Sequence, residues 1–374
     1  MIVGFDAKRF FHNSTGLGNY SRDLIRILAQ YHPENRYFLY NPKPKKIDRI
    51  PIDGNNISEH LPESKKNKKI ASLWRMFSIC AQIKKDKIDL YHGLSGEIPI
   101  GLKKTGVKAV VTIHDLIFMR YPNLYSYFDR KIHYYKFKYA AQNADLVIAI
   151  SEQTKKDIVT YLKIDPTKIK VIYQGCAPVF KEEIPSEFIE ITRSKYQLPT
   201  NFILNVGTIE KRKNILSVIK AIKDIDTQLV IIGKKTAYFT EINNYILENN
   251  LEEKVIFLKN LELKELAAIY RMASIFVYPS IFEGFGIPII EALYSKTPVI
   301  TSKGGCFSEA GGENSIYIDP FNSEELRVKL LELLANPEKR ELMKLKGFEF
   351  VQKFNDQNIA KYWMETYKEV LRLS

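Results

Sequence analysis

Short apolar runs alternate with amphipathic, helix-like segments along most of this chain, in two consecutive series. The first series contains the β-rich runs IVGF, RYFLYN, DLYHG, KAVVTIH, DLVIAIS and IKVIYQG. The second contains FILNVG, QLVIIG, KVIFL, IFVYPS, TPVITS and SIYID. Strands that alternate with helices are typical of a parallel sheet with helices on both faces. The pattern therefore predicts an α/β chain with two Rossmann-like, doubly wound domains that face each other across a cleft.

The length of the chain and the positions of two prolines indicate a division into two domains. Its 374 residues, 45% of them hydrophobic, exceed what one hydrophobic core usually encloses. Pro185 and Pro199 lie in a polar stretch between the two series and indicate an interdomain segment. We predict an N-terminal domain over residues 1–185, joined by a C-terminal helix over about residues 355–374, and a C-terminal domain over residues 190–354.

For two helices, the sequence predicts an N-cap or the side chains that anchor the helix to the core. Ser151 is a predicted N-cap for a helix over Thr154 to Leu162. In the last helix, DQNIAKYWMETYKEVLRL, the aromatic residues Tyr362, Trp363 and Tyr367 are the predicted anchors.

Lys and Arg total 56 against 43 Asp and Glu, which gives a formal net charge of +13. Such a charge favours polyanionic partners: nucleic acid, an anionic membrane surface or phosphorylated substrates. No nucleic-acid-recognition motif occurs, so we expect no nucleic-acid partner. No apolar run approaches the ~20 residues of a transmembrane helix, and three widely spaced cysteines fit reduced thiols. We therefore expect a cytoplasmic protein.

The stretch SKKNKKIASLWRMFSICAQIKKDK, from Ser64 to Lys87, combines lysines with a helical apolar face. The residues predicted to share that face are Ile70, Leu73, Trp74, Phe77 and Ala81. One reading is core packing against the N-terminal sheet. The other is peripheral attachment to an anionic membrane, at the inner face of the cytoplasmic membrane. The sequence leaves both open.

The stretch SIFEGFGIPIIEAL, from Ser280 to Leu293, places two carboxylates around a glycine-rich turn that follows a strand. In open sheets, ligands bind beyond the carboxyl ends of the strands. Gly284 and Gly286 leave their amides bare, and Pro288 suits the first position of a helix. Glu283 is predicted in the preceding loop and Glu291 in the first turn of the helix, where a carboxylate stays ionised. We expect both to accept hydrogen bonds from ligand hydroxyls, rather than to act as a shared-proton pair, a metal site or a plain helix cap.

The stretch NVGTIEKRKNI follows the first strand of the second series. Gly207 permits a tight turn, and Lys211, Arg212 and Lys213 lie where the next helix begins. Cations beside unpaired helix amides form a natural pyrophosphate site, and the alternative is a solvated basic turn. Gly233 and Lys234 in IIGKK repeat the arrangement after the next strand, less specifically.

Candidates in the first series are more ambiguous. Gly16 and Gly18 in TGLGNYS indicate a flexible loop whose amides face the cleft, or else an ordinary helix start. His114 ends the run VVTIH and is placed to contact a ligand, while the neighbouring Asp115 could cap the next helix. His92 in LYHGLSG has the same ambiguity.

No cluster of His, Cys and carboxylates has the spacing of a metal site. The Asp-x-Asp of Asp224 and Asp226 precedes a strand, so we interpret it as a surface connection between a helix and that strand. We expect no metal.

Taken in order, these motifs resemble the retaining glycosyltransferases of the GT-B fold, family 4 (glycosyltransferase group 1). PSIFEGFGIPIIEAL looks like the family's E-x7-E signature, VGTIEKRKNI its phosphate-binding turn, VTIHDL its N-domain histidine and TGLGNYSRDL its glycine loop. DLVIAISEQTKKDI and KIKVIYQG resemble the end of its N-terminal domain. The resemblance covers nearly the whole chain.

The resemblance implies roles for individual residues. Glu291 would hold the ribose hydroxyls of a nucleotide sugar. Glu283 would contact hydroxyls of the donor sugar, together with the backbone of Gly284, Phe285 and Gly286. His114 would sit beside the sugar and the reacting centre.

The resemblance also implies that Arg212 and Lys213 neutralise the diphosphate. Thr208 stands where many members have Arg. Neutralisation then rests more heavily on Arg212 and Lys213. The candidate catalytic residues are His114, Glu283 and Lys213. The candidate donor-binding residues are Gly16, Gly18, Gly207, Thr208, Arg212, Lys213, Gly233, Lys234, Gly284, Phe285, Gly286 and Glu291.

The implied reaction moves a hexosyl unit from a nucleotide-diphosphate sugar, GDP-mannose being favoured over UDP-linked sugars, with retention at the anomeric carbon. The acceptor would be a glycan or lipid-linked saccharide in surface-polysaccharide (lipopolysaccharide) biosynthesis, and no cofactor is implied beyond the co-substrate. The alternatives are a nucleotide-sugar epimerase or a phosphorylase of the same fold, or a basic membrane- or nucleic-acid-binding protein without catalysis.

Overall fold

The computed structural model describes residues 1–13, 15–44, 56–63 and 71–372. The chain forms two compact units. The first consists of the described parts of residues 1–175 and 354–374, and the second of residues 176–353. The first unit therefore ends before Pro185, the proline taken as the interdomain marker, and it takes up the chain again at Phe354.

The first unit contains a parallel sheet of seven described strands in the order β3-β2-β1-β4-β5-β6-β7. The strands are β1 (Ile2–Asp6), β2 (Arg36–Tyr40), β3 (Ile57–His60), β4 (Leu90–Gly93), β5 (Lys108–Ile113), β6 (Leu146–Ala149) and β7 (Ile169–Val171). The described α-helices are α1 (Lys8–His12), α2 (Gly16–Tyr31), α3 (Ala71–Leu73), α4 (Ile79–Lys85), α5 (Ile117–Arg120), α6 (Tyr127–Asn143), α7 (Glu152–Asp157) and the C-terminal helix (Asp356–Leu371). π-Helical segments over Trp74–Ser78 and Ile158–Leu162 follow α3 and α7.

Apolar side chains cover both faces of this first sheet. One face packs against α4 and α6, through residues such as Ile83 and Ala140. The other packs against α2 and the C-terminal helix, through residues such as Leu24 and Trp363. Burial on both faces explains why the strand runs read as continuously hydrophobic.

The second unit contains a parallel sheet of six strands in the order β10-β9-β8-β11-β12-β13. The strands are β8 (Phe202–Val206), β9 (Gln228–Ile232), β10 (Val255–Leu258), β11 (Ile275–Tyr278), β12 (Val299–Ser302) and β13 (Ile316–Ile318). Its α-helices are α8 (Ser186–Tyr196), α9 (Ile215–Ile222), α10 (Phe239–Glu248), α11 (Leu263–Met272), α12 (Ile287–Tyr294), α13 (Phe307–Gly311), α14 (Ser323–Leu334) and α15 (Pro337–Val351). The two parallel, doubly wound sheets confirm the predicted α/β fold class.

Several local predictions can be compared with the elements. Ser151 caps α7 as predicted, since its Oγ accepts a hydrogen bond from the amide of Thr154 at 3.0 Å. Asp224 and Asp226 lie between α9 and β9, as predicted. In the C-terminal helix, Trp363 and Tyr367 are buried, but Tyr362 is 51% exposed, so its prediction as an anchor is wrong.

The basic amphipathic stretch is only partly described, because Ile70 and the lysines that precede it lie outside the described residues. Trp74 packs in the core of the first unit, which confirms the packing alternative for that residue. Leu73 and Phe77 are each 48% exposed. The predicted single face is therefore divided between core and surface. In the described ranges, no helix is both long and apolar enough to cross a membrane.

Candidate functional site

The order of strands identifies the edge of the second sheet where a ligand is expected. β8 lies beside β11, and the chain winds away from this pair in opposite directions, to β9 and to β12. Ligands of doubly wound sheets bind at such a switch point, outside the carboxyl ends of the strands. The loops that leave β8 and β11 carry the two predicted motifs, residues 207–214 and 279–286.

The loop after β8 is held against the loop after β9. The amide of Gly207 donates to the carbonyl of Ile232 at 2.9 Å, and the amide of Ile209 donates to the carbonyl of Lys234 at 2.9 Å. A Cβ on Gly233 would lie 1.8 Å from the carbonyl oxygen of Gly207, so only glycine allows this approach. Thr208 is half-buried between these contacts, and the side chain of Lys234 is exposed.

A short 3-10 helix, Lys211–Lys213, leads from this loop into α9. The carbonyl of Arg212 accepts a hydrogen bond from the amide of Ile281 at 2.9 Å, which ties the loop after β8 to the loop after β11. The side chains of Arg212 and Lys213 are 17% and 15% exposed, whereas that of Lys211 is 72% exposed. Two of the three cations are therefore enclosed at the switch point.

Both enclosed cations contact one carboxylate oxygen. Lys213 Nζ lies 2.6 Å from Oε1 of Glu283, and Arg212 Nη1 lies 2.8 Å from the same atom. The hydroxyl of Tyr278, the last residue of β11, donates to Glu283 Oε1 at 3.1 Å and accepts from Lys213 Nζ at 2.6 Å. The structure thus brings together the predicted residues Arg212, Lys213 and Glu283.

The ionisation of Glu283 follows from these neighbours. Burial raises the pKa of its carboxyl, but the charges of Lys213 and Arg212 outweigh burial and hold that pKa at about 2. Glu283 is therefore ionised at neutral pH. Its negative charge is already paired with Arg212 and Lys213, the two cations that were predicted to neutralise a diphosphate.

Glu291 lies in a different environment. It is the fifth residue of α12, just beyond the first turn in which it was predicted, and Tyr270 OH donates to its Oε2 at 3.0 Å. Burial raises the pKa of Glu291 to about 7, despite this hydrogen bond. The expectation that Glu291 stays fully ionised at neutral pH is therefore wrong. Its position beyond the first turn separates it from the free amides of the helix, so burial decides its pKa.

The glycine-rich turn before α12 has a fixed shape. Gly286 has φ +115° and is the N-cap of α12, a conformation that disfavours any residue with a side chain. Pro288 is the second helical residue, and the ring of Phe285 is buried. Gly284 completes the turn between Glu283 and Phe285.

The first unit places His114 directly after β5. Its Nε2 lies 2.9 Å from the carbonyl oxygen of Leu94, so Nε2 carries the proton and Nδ1 is an acceptor. Burial lowers the pKa of the ring to about 4, which keeps it neutral at neutral pH. The ring of Tyr20 meets it edge-on, with the centroids 4.5 Å apart. Asp115 also contacts the next helix, since its Oδ1 accepts from the amide of Ile117 at 3.1 Å.

Gly16 and Gly18 lie in the first turn of α2, so the alternative of a helix start is confirmed and that of a flexible loop is wrong. The amide of Gly18 donates to the carbonyl of Thr15 at 2.9 Å and is already paired. A Cβ on Gly18 would lie 1.9 Å from the carbonyl oxygen of Asn13. Close packing against Asn13 explains this glycine.

His92 is a core residue. Its Nδ1 lies 2.7 Å from the hydroxyl of Tyr367, and its Nε2 lies 2.8 Å from Oγ1 of Thr112. Tyr20 OH lies 3.2 Å from the same Thr112 oxygen. Both ring nitrogens of His92 thus have protein partners, which favours the structural alternative.

Three tyrosines that contact the candidate residues were not predicted from the sequence: Tyr20, Tyr270 and Tyr278. Tyr278 could have been found, because it ends the strand from which the E-x7-E motif follows. Tyr20 and Tyr270 lie on helices distant in sequence from His114 and Glu291. No local signal pairs them.

Comparisons with known proteins identify the family of this chain. The family model described as Glycosyltransferase Family 4 matches residues 14–178, and that described as Glycosyl transferases group 1 matches residues 188–350. O-antigen chain mannosyltransferase B of Escherichia coli is 24% identical over 98% of this chain and 100% of its own length. An uncharacterized glycosyltransferase of Methanocaldococcus jannaschii is 30% identical over 84% of this chain and 86% of its own length.

Among solved structures, HepE of Anabaena in complex with UDP and glucose matches with a TM-score of 0.74. The match has 19% identity and covers 98% of this chain and 99% of that one, which supports the fold. The sequence relatives, the two family models and the paired doubly wound sheets lead to one conclusion: the chain belongs to the family 4 (group 1) glycosyltransferases, which have the GT-B fold.

Proposed function

We propose that this protein transfers a hexosyl unit, mannose being favoured, from a nucleotide-diphosphate sugar to a saccharide acceptor with retention at the anomeric carbon. The observation that carries the proposal is the convergence of Arg212 and Lys213 on one oxygen of Glu283 at the switch point of the second sheet. Two cations and one carboxylate carry a net positive charge, which suits a diphosphate.

The proposed chemistry has a simple balance. The bond between the anomeric carbon and the diphosphate oxygen breaks, and its electron pair stays on the diphosphate. The acceptor hydroxyl attacks from the same face, and its proton passes to the departing phosphate oxygen. Arg212 and Lys213 stabilise the charge that develops on the leaving group. Once the diphosphate takes these cations as partners, Glu283 is free to accept hydrogen bonds from the donor sugar.

The other assignments belong to the same proposal. Glu291 binds the ribose hydroxyls, and the backbone of Gly284, Phe285 and Gly286 contacts the sugar. Gly207, Thr208, Gly233 and Lys234 line the diphosphate. In the other unit, His114 accepts a hydroxyl hydrogen bond through Nδ1, and the proposed roles of Gly16 and Gly18 are confined to shaping the start of α2.

The identity of the relatives supports the choice of donor and acceptor. A relative that this chain matches along its whole length is named an O-antigen chain mannosyltransferase, which favours GDP-mannose and surface-polysaccharide assembly. UDP-linked sugars are the competing donors, since HepE was crystallised with UDP. We further propose a lipid-linked saccharide acceptor, action in the cytoplasm at the inner membrane face, and no need for a metal or other cofactor.

The first experiment identifies the donor. A ligand that binds only the native protein raises its melting temperature by mass action. A thermal-shift panel of GDP, GDP-mannose, UDP and UDP-glucose should show the largest shift with GDP-mannose. Equal or absent shifts for all four would reject the donor assignment. Product analysis by NMR then reports the anomeric configuration, and turnover should survive treatment with EDTA.

The second experiment tests the proposed role of Lys213, one of the two enclosed cations. Lys213→Ala should lower turnover by a factor of about 100 to 1,000, as expected for a group that stabilises charge in the transition state. Lys211→Ala is the matched control, because Lys211 lies in the same short helix but is exposed and pairs with Glu241. Turnover of Lys213→Ala at the wild-type level would defeat the assignment.

A further inference from the structure

A pocket of about 520 Å³ lies in the first unit, at the switch point of its sheet. β1 and β4 are neighbours there, and the pocket is lined by Asp6, the last residue of β1, and by Glu97, which follows β4. Small-molecule sites typically have roughly 300–1,000 Å³. None of the residues assigned above to donor binding or catalysis lines this pocket. It is therefore distinct from the candidate donor site.

The charged groups at the inner end of this pocket are bound to each other. Arg75 donates from Nε and Nη2 to the carboxylate of Asp6, at 3.0 and 2.5 Å, and from Nη1 to Glu97 at 2.7 Å. All three guanidinium nitrogens are thus committed, and each carboxylate has a partner. Two carboxylates face one guanidinium at this inner end, so an anionic head group is not expected there.

The walls are mainly apolar. Met76, Tyr91, Ile98, Pro99 and Tyr139 line them. Met76 and Arg75 both belong to the π-helical segment Trp74–Ser78, and such wide turns occur frequently at functional sites. Methionine adapts its shape to irregular apolar ligands. These walls suit a hydrocarbon chain.

The rim combines exposed apolar side chains with cations. Ile100 is 41% exposed and Tyr135 is 63% exposed. Lys136 Nζ lies 3.6 Å from Glu97, too far for a hydrogen bond, and Lys138 Nζ donates to Tyr134 OH at 3.1 Å. An ammonium group has three donors, so both lysines retain some for a ligand. The lining contains two carboxylates and three cations, which leaves one excess positive charge.

We propose that this pocket binds an anionic amphiphile, with its hydrocarbon chain against Met76, Ile98 and Ile100 and its phosphate-type head at Lys136 and Lys138. A membrane phospholipid and a lipid-linked saccharide both carry this chemistry. The lipid-linked saccharide as a source rests on the proposed function, in which it is the acceptor. The binding test uses no residue of the donor site and needs no turnover, so the two proposals can fail separately.

The test is calorimetric titration of the full-length protein with dodecyl phosphate, kept below the concentration at which it forms micelles. Wild-type protein should bind dodecyl phosphate. Inorganic phosphate should show no measurable binding, and dodecyl maltoside, which has the same chain and a neutral head, should bind at least tenfold more weakly. Equal binding of the two dodecyl compounds would overturn the assignment of the head group.

Variants test each part of the pocket. Ile100→Glu places a charge at the apolar mouth and should weaken dodecyl phosphate binding at least tenfold. Tyr135→Ala, at a more exposed position, should weaken it in the same direction. Leu342→Glu is the matched control, because Leu342 is 57% exposed but lies on α15 of the other unit. Its affinity should equal that of the wild type. The double variant Lys136→Gln/Lys138→Gln should lose the preference for the phosphate head.

Melting temperatures within experimental error of the wild type establish that the variants are folded. Unchanged affinity in both Ile100→Glu and Tyr135→Ala would overturn the proposal, as would binding of maltotriose in place of the amphiphiles. Co-sedimentation with phosphatidylglycerol vesicles distinguishes the two candidate ligands, a membrane phospholipid and a lipid-linked saccharide. Loss of vesicle binding in Ile100→Glu supports a membrane phospholipid, and binding of dodecyl phosphate without vesicle binding supports a lipid-linked saccharide.

Discussion

Glu283 and Glu291 are separated by seven residues, yet their surroundings move their pKa values in opposite directions. Burial raises both. At Glu283, Lys213 and Arg212 more than offset burial, whereas at Glu291 the hydrogen-bond donor is the neutral hydroxyl of Tyr270. One carboxylate is therefore a permanent anion, and the other changes its charge near neutral pH.

The titration of Glu291 makes a prediction about ligand binding. Two ribose hydroxyls need an ionised carboxylate as acceptor, so the affinity for the nucleotide sugar should rise as the pH increases through about 7. Glu291→Gln should remove this pH dependence and weaken binding about tenfold above pH 8, the cost of a hydrogen bond to a charged group. Calorimetric titration over the pH range measures both effects.

Glu313→Gln is the control for this experiment, because Glu313 is exposed. It should retain the wild-type pH profile. A Glu291→Gln protein with the same profile as the wild type would show that another group titrates.

The pKa of Glu283 is lowered, not raised, and this leads to a prediction about the stability of the protein in acid. Its folded-state pKa of about 2 lies below the ordinary value of 4.5, so its contribution is fully present above about pH 4.5 and is lost as the pH falls through 2. Glu283→Gln leaves two enclosed cations without their anion and should lower the unfolding free energy by about 3 kcal/mol at neutral pH. The gap to the wild type should narrow in acid, as measured by denaturant unfolding at several pH values.

Glu210 provides a matched control, since it also pairs with Arg212, at 2.6 Å, but its side chain is 39% exposed. Glu210→Gln should change stability by less than about 1 kcal/mol, as for other exposed pairs. A Glu283→Gln gap that stays constant from pH 7 to pH 3 would contradict the role of this carboxylate.

The sequence was sufficient to predict which residues follow the strands of the switch point, because strand ends and glycine turns have local signals. Arg212, Lys213 and Glu283 were named on this basis, and the structure brings them together. The pKa of Glu291 could not be predicted, because the burial of its carboxyl and its contact with Tyr270 depend on how α12 packs against α11. Pairing across helices leaves no periodic trace in the sequence.

Among the secondary-structure elements, strands with continuous apolar runs were predictable and β3 was not. β3 has the sequence ISEH, in which the only strongly apolar residue is Ile57, and it lies at the edge of its sheet. At the start of α2, Gly16 and Gly18 left a flexible loop and a helix start as alternatives. The structure has the helix start, with Gly18 in close packing against Asn13. Tertiary contacts overrode local propensity in this helix.

The C-terminal helix allows a matched comparison of two tyrosines. Tyr367→Phe removes the hydroxyl that contacts Nδ1 of buried His92, which should lower the unfolding free energy by about 1–3 kcal/mol. Tyr362→Phe removes a hydroxyl from a side chain that is 51% exposed on the same helix and should have little effect. Thermal or denaturant unfolding measures the difference. Equal stability of the two variants would show that the contact between Tyr367 and His92 contributes nothing.

For the whole molecule, the main feature is that the first unit is assembled from both ends of the chain. The last helix buries Ile359, Trp363 and Tyr367 in the core formed by residues 1–175. The sequence showed this helix as amphipathic, and the predicted domain division joined it to the N-terminal domain. Amphipathicity alone does not identify the surface that a helix covers.

A truncation tests this dependence. A chain that ends at Asn355 should keep the thermal transition of residues 176–353 and lose stability in the first unit, because its apolar core is opened to water. Differential scanning calorimetry should therefore show a transition shifted down by several degrees or abolished. An unshifted calorimetric profile would mean that the helix contributes no stability.

This arrangement has a consequence for synthesis on the ribosome. Residues 1–175 emerge first, but the surface that Trp363 and Tyr367 cover must wait until the entire second unit has been translated. Domains usually fold as their chain appears, the N-terminal one first. Here the core of the N-terminal unit includes residues of the helix Asp356–Leu371, so a product terminated before this helix should keep exposed apolar surface. We expect cellular proteases to remove such products, which would leave only full-length chains.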